Sequence, residues 1–130
     1  MSDFFLPMLP PTVTAQQHKV SVKARTPRFY DPPRLADARA KLEAYLALHR
    51  PDKPLEGAVL LDVKWCFPRG CHAAGSFRTT KPDTDNLNKL LKDCMTRVGF
   101  WRDDAQVAVE LIEKRWSEIP GICIRVEELP

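Results

Sequence analysis

Between residues 81 and 106 the chain gathers side chains whose types and spacing could do chemistry. The run Lys81-Pro82-Asp83-Thr84-Asp85-Asn86-Leu87-Asn88-Lys89 is followed by Trp101-Arg102-Asp103-Asp104-Ala105-Gln106. Asp83 and Asp85 alternate across an extended segment, so both carboxylates can point one way just ahead of a helix. Lys89 stands four residues after Asp85, and Asp93 four after Lys89, which puts all three along one helix edge. The pair Asp103-Asp104 comes one helix and one turn later, so a chain that folds back could unite the two acidic pairs. Like charges 4 Å apart repel by about 1 kcal/mol in water and about 4 kcal/mol at an effective dielectric of 20. Such a cluster calls for a cation, and oxygen donors suit Mg²⁺, with Mn²⁺ as a substitute. A metal of this kind makes hydroxide near neutral pH and stabilises a leaving oxygen, so phosphodiester hydrolysis needs no histidine base. Lys89 would then meet charge developing on the phosphate. Each residue also has a plainer use: Asp85 as a helix cap, Lys89 as an ion-pair partner, Asp103-Asp104 as a turn.

Those residues need elements to hold them. Leu87, Leu90, Leu91, Cys94, Met95 and Val98 recur at helical spacing, which predicts a helix over about 85–98 with Gly99 as its stop. An earlier stripe, Leu35, Ala38, Leu42, Tyr45 and Leu46, predicts a helix over about 34–49, opened by Asp31-Pro32-Pro33 and stopped by Pro51 and Pro54. Val59, Leu61, Val63 and Trp65 alternate with Leu60, Asp62 and Lys64, the pattern of a half-buried strand. Residues 106–116 and 122–126 read as two more strands with Pro120-Gly121 between them, which predicts an antiparallel hairpin. Residues 1–9 suit a short edge strand or tail, and the alternation in Lys19-Val20-Ser21-Val22-Lys23 suits a strand or extended arm. The order strand, helix, strand, helix, strand, strand predicts an α+β fold: a mixed or antiparallel sheet packed against two helices.

At 130 residues and 44% apolar, the chain is sized for one domain with a real core. No apolar run approaches the roughly 18 residues of a membrane span, and the N-terminus lacks a signal-peptide pattern, so a cytoplasmic protein is expected. The net charge of +3 conceals an asymmetry: residues 1–50 carry +4, residues 51–102 carry +3 and residues 103–130 carry −4. Lys19, Lys23, Arg25 and Arg28, then Arg69, Arg78 and Lys81, could contact phosphates or simply face water. Cys66-x4-Cys71-His72 resembles half a zinc site, but the second ligand pair is missing. Cys94 and Cys123 fall on a helix and a strand pattern and read as small apolar fillers.

Asp83-x-Asp85-Asn86-Leu87-x-Lys89, then Asp93, then Gly99-Phe100-Trp101-Arg102-Asp103-Asp104-Ala105-Gln106-Val107 resembles the signature of RusA-type Holliday junction resolvases. The rest of the chain fits that family more loosely, as a single domain over 1–130 with a strand or basic arm (1–31) and a catalytic block (83–107). The resemblance implies catalytic acids at Asp83, Asp85 and Asp104, an essential lysine at Lys89, and Asp103 as a neighbour in the metal site. It also implies Mg²⁺ dependence and a homodimer that cuts symmetric strands of four-way junction DNA. Lys19, Lys23, Arg25, Arg69, Arg78 and Lys81 are the expected DNA contacts, with residues 68–82 as a mobile DNA-contacting loop. His72 then reads as a loop side chain rather than a general base. Phe100-Trp101 reads as packing, with a dimer or junction-distorting surface as the alternative. Two other functions suit the same residues: a non-catalytic DNA-binding or regulatory protein on the same fold, and a metal-dependent nucleotide phosphohydrolase.

Overall fold

A computed structural model describes residues 2–12, 19–21, 28–30 and 33–130. Its elements in chain order are β1 (Ser2–Leu6), β2 (Lys19–Ser21), β3 (Arg28–Tyr30), α1 (Pro33–Ala47), β4 (Val59–Pro68), α2 (Thr84–Val98), β5 (Val107–Ser117) and β6 (Gly121–Glu128). Four strands form one sheet in the order β1-β6-β4-β5, and β2 pairs with β3 in a separate antiparallel ribbon. β4 and β5 run parallel, whereas β6 runs antiparallel to both β4 and β1. The sheet is therefore mixed, and the α+β class read from the sequence is the one observed.

The period of two along β4 does the sorting. Val59, Leu61, Val63, Trp65 and Phe67 are all buried, while Lys64 and Pro68 are exposed on the other face. Leu6 of β1 and Ile122, Ile124 and Val126 of β6 complete the apolar side. Both helices lie on that face, α1 through Leu35, Leu42 and Leu46, and α2 through Leu87, Leu90, Leu91, Cys94 and Met95. Phe100 and Trp101 belong to the same core, each 1% exposed, which makes them packing residues. The Trp101 indole donates to Thr96 Oγ1 at 2.7 Å. Among the described residues one polar side chain, Asn88, sits in the core. Asn88 Oδ1 accepts from Trp65 Nε1 at 2.8 Å, and Asn88 Nδ2 donates to Glu110 Oε2 at 2.8 Å, locking α2 onto both β4 and β5. Gly99 ends α2 in the left-handed region (φ 104°), where its N–H bonds Met95 O.

The predicted hairpin is a correction. β5 and β6 are not neighbours, because β4 lies between them. Pro68 pairs with Ser117 and Cys66 with Gly121, so residues 118–120 step across the end of β4. A turn signal reports that the chain reverses direction. It does not report which strand fills the gap, and β4, apolar at every second position, is stabilised by a neighbour on each side. The parallel β4–β5 pair explains the long link between them, since a parallel connection needs a crossover that α2 supplies. Asp31, read above as part of the opening of the first helix, and Lys23 and Arg25, expected as DNA contacts, lie outside the described residues.

Candidate metal and nucleic-acid site

The crossover carries the acidic block to the start of α2. Asp83 occupies the N-cap position (φ −73°, ψ 148°), and its main-chain oxygen accepts from Leu87 N at 3.0 Å. Its carboxylate makes no capping hydrogen bond and is exposed. Asp85 lies in the first helical turn, where its Oδ1 accepts from its neighbour Asn86 N at 2.9 Å. Lys89 is exposed one turn further along the same edge. The backbone that delivers Asp83 is held from below by Lys114 of β5, whose Nζ donates to Thr80 O and to Pro82 O, each at 2.7 Å. Burial lowers the Lys114 pKa, the nearby Arg78 lowers it further, and Asp83 opposes both.

The second acidic pair sits elsewhere. Asp103 caps a short 3₁₀ turn, Asp104–Gln106, where its Oδ1 accepts from Ala105 N at 2.9 Å. Gln106 Oε1 accepts in return from Asp103 N at 3.1 Å, and its Nε2 donates to Leu55 O and Gly57 O. Asp103 and Asp104 line a shallow depression with Asp93, Thr96 and Arg97 from the later half of α2. Eight residues separate Asp85 from Asp93, which at 1.5 Å per residue is about 12 Å of helix. Within one chain the two acidic pairs thus lie toward opposite ends of α2, and the fold-back expected to unite them does not occur. Among the described residues no group of three or more His, Cys, Asp or Glu side chains is close enough to hold a metal. Asp83 and Asp85 alone still fit Mg²⁺, which is held by one or two carboxylates and keeps waters and phosphate oxygens for its other positions. An exposed Asp83 carboxylate that makes no capping hydrogen bond can face such an ion.

Beside this acidic start lies a basic and aromatic edge. Residues 75–78 run antiparallel along β5: Gly75 N donates to Trp116 O, Trp116 N to Ser76 O, and Arg78 N to Lys114 O, at 2.8–3.0 Å. The loop expected to be mobile is therefore pinned to the sheet over this stretch, because its chain supplies the hydrogen bonds that an edge strand lacks. Arg78 is half-buried, with its guanidinium 4.2 Å from the centroid of Phe67 and 4.7 Å from that of Trp116. Arg69 pairs with Glu118 at 2.8 Å and donates to His72 O. Lys81 is exposed, and Lys19 lies in β2. The His72 ring, exposed on the loop, stacks on Trp116 with centroids 4.0 Å apart. Lys114, Arg115, Phe77 and Asn88 were not singled out from sequence, since each sits in an ordinary surface or helix pattern until the strands are paired. The cysteines divide: Cys94 is buried in the core, Cys71 is exposed, and Cys66 and Cys123 are half-buried on β4 and β6. Cys123 is thus no core filler, because its neighbours Ile122 and Ile124 take the inward positions.

Exposed carboxylates at a helix start, next to a cationic sheet end, are the groups that can hold a divalent ion against a phosphate backbone. The family model for endodeoxyribonuclease RusA matches residues 9–127, and the chain belongs to that family. It is 31% identical over 122 residues to the crossover junction endodeoxyribonuclease rusA of Lactococcus phage r1t, covering 92% of this chain and 91% of that protein. It is also 32% identical over 101 residues to the uncharacterized protein YqaN of Bacillus subtilis (strain 168), covering 65% and 70% respectively.

Proposed function

We propose that this protein is a crossover junction endodeoxyribonuclease that binds four-way junction DNA as a homodimer and makes paired, symmetric, Mg²⁺-dependent incisions. The observation that carries the reading is the match, along nearly the whole chain, to a phage protein of that name. Asp83 and Asp85 would hold the ion at the exposed start of α2. When bound, Mg²⁺ supplies a hydroxide nucleophile near neutral pH and offsets charge on the leaving oxygen; Mn²⁺ would substitute. Lys89, on the same helix edge as Asp85, meets the non-bridging phosphate oxygens. Lys81, with Lys19, Lys23, Arg25, Arg69 and Arg78, provides phosphate contacts that set the register of the DNA. Asp104 is assigned to the site as a residue delivered by the second copy, because within one chain it lies beside the later half of α2 while Asp83 caps its start. Asp103, engaged as a cap, orients Asp104. A two-fold dimer also suits a substrate in which two strands are cut symmetrically. The protein would act in the cytoplasm, and among the described residues no helix is long and apolar enough to cross a membrane.

The test is a labelled four-way junction and a matched linear duplex, each incubated with the protein in Mg²⁺ or in chelator. Paired nicks confined to the junction and to Mg²⁺ are expected, and Asp83→Asn should bind the junction without cutting it. Binding without cutting by the wild type would instead indicate a regulatory DNA-binding protein. Nucleotide hydrolysis with no action on DNA would indicate a phosphohydrolase.

A further inference from the structure

Phe77 is 61% exposed, on a segment that backbone hydrogen bonds hold in place. It forms an antiparallel bridge with Arg115, and the Arg115 guanidinium lies 4.1 Å from the centroid of its ring. Arg115 is itself fixed: Nη1 donates to Gly75 O at 2.8 Å and Nη2 to Glu113 Oε1 at 3.3 Å. The ring is thus oriented both through its own backbone and by a cation against one face, while most of its surface meets water. A phenyl ring held this way gains nothing for folding from its exposed area, since apolar surface stabilises only when it leaves water. It suits a flat, electron-rich partner that stacks on the face Arg115 leaves open, and every nucleobase offers such a face.

The surroundings favour a base over an apolar peptide. Phe77 shares a sheet face with Arg115, while Lys114, one residue earlier in β5, takes the opposite face and reaches the backbone that carries Asp83, so ring and proposed cutting site flank the same strand at the sheet edge. Arg69, Arg78 and Lys81 belong to the same loop, a cationic setting for the phosphates on either side of a stacked base. We propose that Phe77, backed by Arg115, is a stacking platform for a nucleobase unpaired at the branch point of the junction. The inference rests on the junction-nuclease reading and adds to it a residue that distinguishes branched from continuous DNA. In a continuous duplex every base is already stacked and paired, so the ring has nothing to receive.

The test uses four-way junctions carrying 5-iodouracil at each position flanking the branch point, irradiated in complex with the full-length wild-type protein without divalent metal. Mass spectrometry is expected to map the crosslink to Phe77. Phe77→Ala should bind the junction about tenfold more weakly, with duplex binding unchanged, and Phe77→Trp should retain junction affinity. Crosslinks to His72 or elsewhere, with Phe77→Ala as tight as wild type, would overturn the platform while leaving the nuclease reading intact. A change in self-association of Phe77→Ala would also overturn it, by showing that the ring contacts a second copy. If the wild type preferred neither junction nor duplex, platform and nuclease reading would fall together.

Discussion

Asp83 is held by contacts its own side chain does not make. Its carboxylate makes no capping hydrogen bond, and the carbonyls before it, Thr80 O and Pro82 O, are both bonded by Lys114 Nζ. Replacing that ammonium by a methyl leaves two carbonyls without their donor and loosens the backbone that aims the carboxylate. Lys114→Met is therefore expected to slow junction cleavage about 10- to 100-fold, the range for residues that orient a metal ligand, and to raise the Mg²⁺ needed for half-maximal rate. Lys114→Arg, which keeps the charge and the donors, should recover part of the loss. Single-turnover cleavage across a Mg²⁺ titration checks this. An equal drop in binding and cleavage, with an unmoved Mg²⁺ midpoint, would make Lys114 a simple phosphate contact. The sequence could not reveal this residue: Glu113-Lys114-Arg115 reads as solvated strand surface until β5 pairs with β4 and comes under the loop. The thiols allow a second prediction at this scale. Burial pushes Cys94 up to about 12, and burial together with neighbouring Cys123 pushes Cys66 up to about 11. A raised pKa means almost no thiolate at pH 8, so a maleimide should label exposed Cys71 well before Cys66 or Cys94. Peptide mapping over time reads the order.

Secondary structure was legible where one periodicity governed it. The stripe Leu87 to Val98 gave α2 nearly to its ends, and the alternation from Val59 to Trp65 gave β4, because burial on one face imposes those spacings. Neighbour relations were not legible. Nothing in residues 106–126 announces that β4 separates β5 from β6, since pairing is decided by the rest of the sheet. The site suffered from the same blindness: the motif showed two acidic pairs, but the length of α2 sets how far apart they lie. One element-level contact can be tested directly. A Cβ built on Gly121 would stand 2.0 Å from the Phe5 ring and 2.8 Å from Leu6 O. The ring can swing aside, but the carbonyl belongs to β1, which pairs with β6 from Leu6↔Ile122 onward. Gly121→Ala must therefore push β1 outward, at about 1–3 kcal/mol, the usual cost of overpacking. Urea unfolding should show a lower midpoint with little change in slope. A midpoint equal to that of the wild type would mean that β1 accommodates the methyl without moving.

The whole molecule has to reconcile one family motif with two separated halves. In a single chain, Asp83 and Asp85 start α2 while Asp104 lies beside its later half, and the proposed site therefore takes Asp104 from a second copy. Two-fold symmetry makes the arrangement reciprocal, because each chain that gives its Asp104 receives the other's. Asp83→Asn and Asp104→Asn should each abolish cutting alone while leaving junction binding in place. Mixed and allowed to exchange, they form heterodimers in which one shared site carries both lesions and the other carries none. Random pairing makes half the dimers mixed, so about a quarter of the wild-type number of sites should regain activity, as single rather than paired nicks. If instead every site were built within one chain, each chain of the heterodimer would hold one lesion and mixing would restore nothing. The readout is nicking of a labelled junction by the mixture, with exchange verified by mass spectrometry of differently tagged chains. A protein that sediments as a monomer while cutting at full rate would refute the shared site by itself.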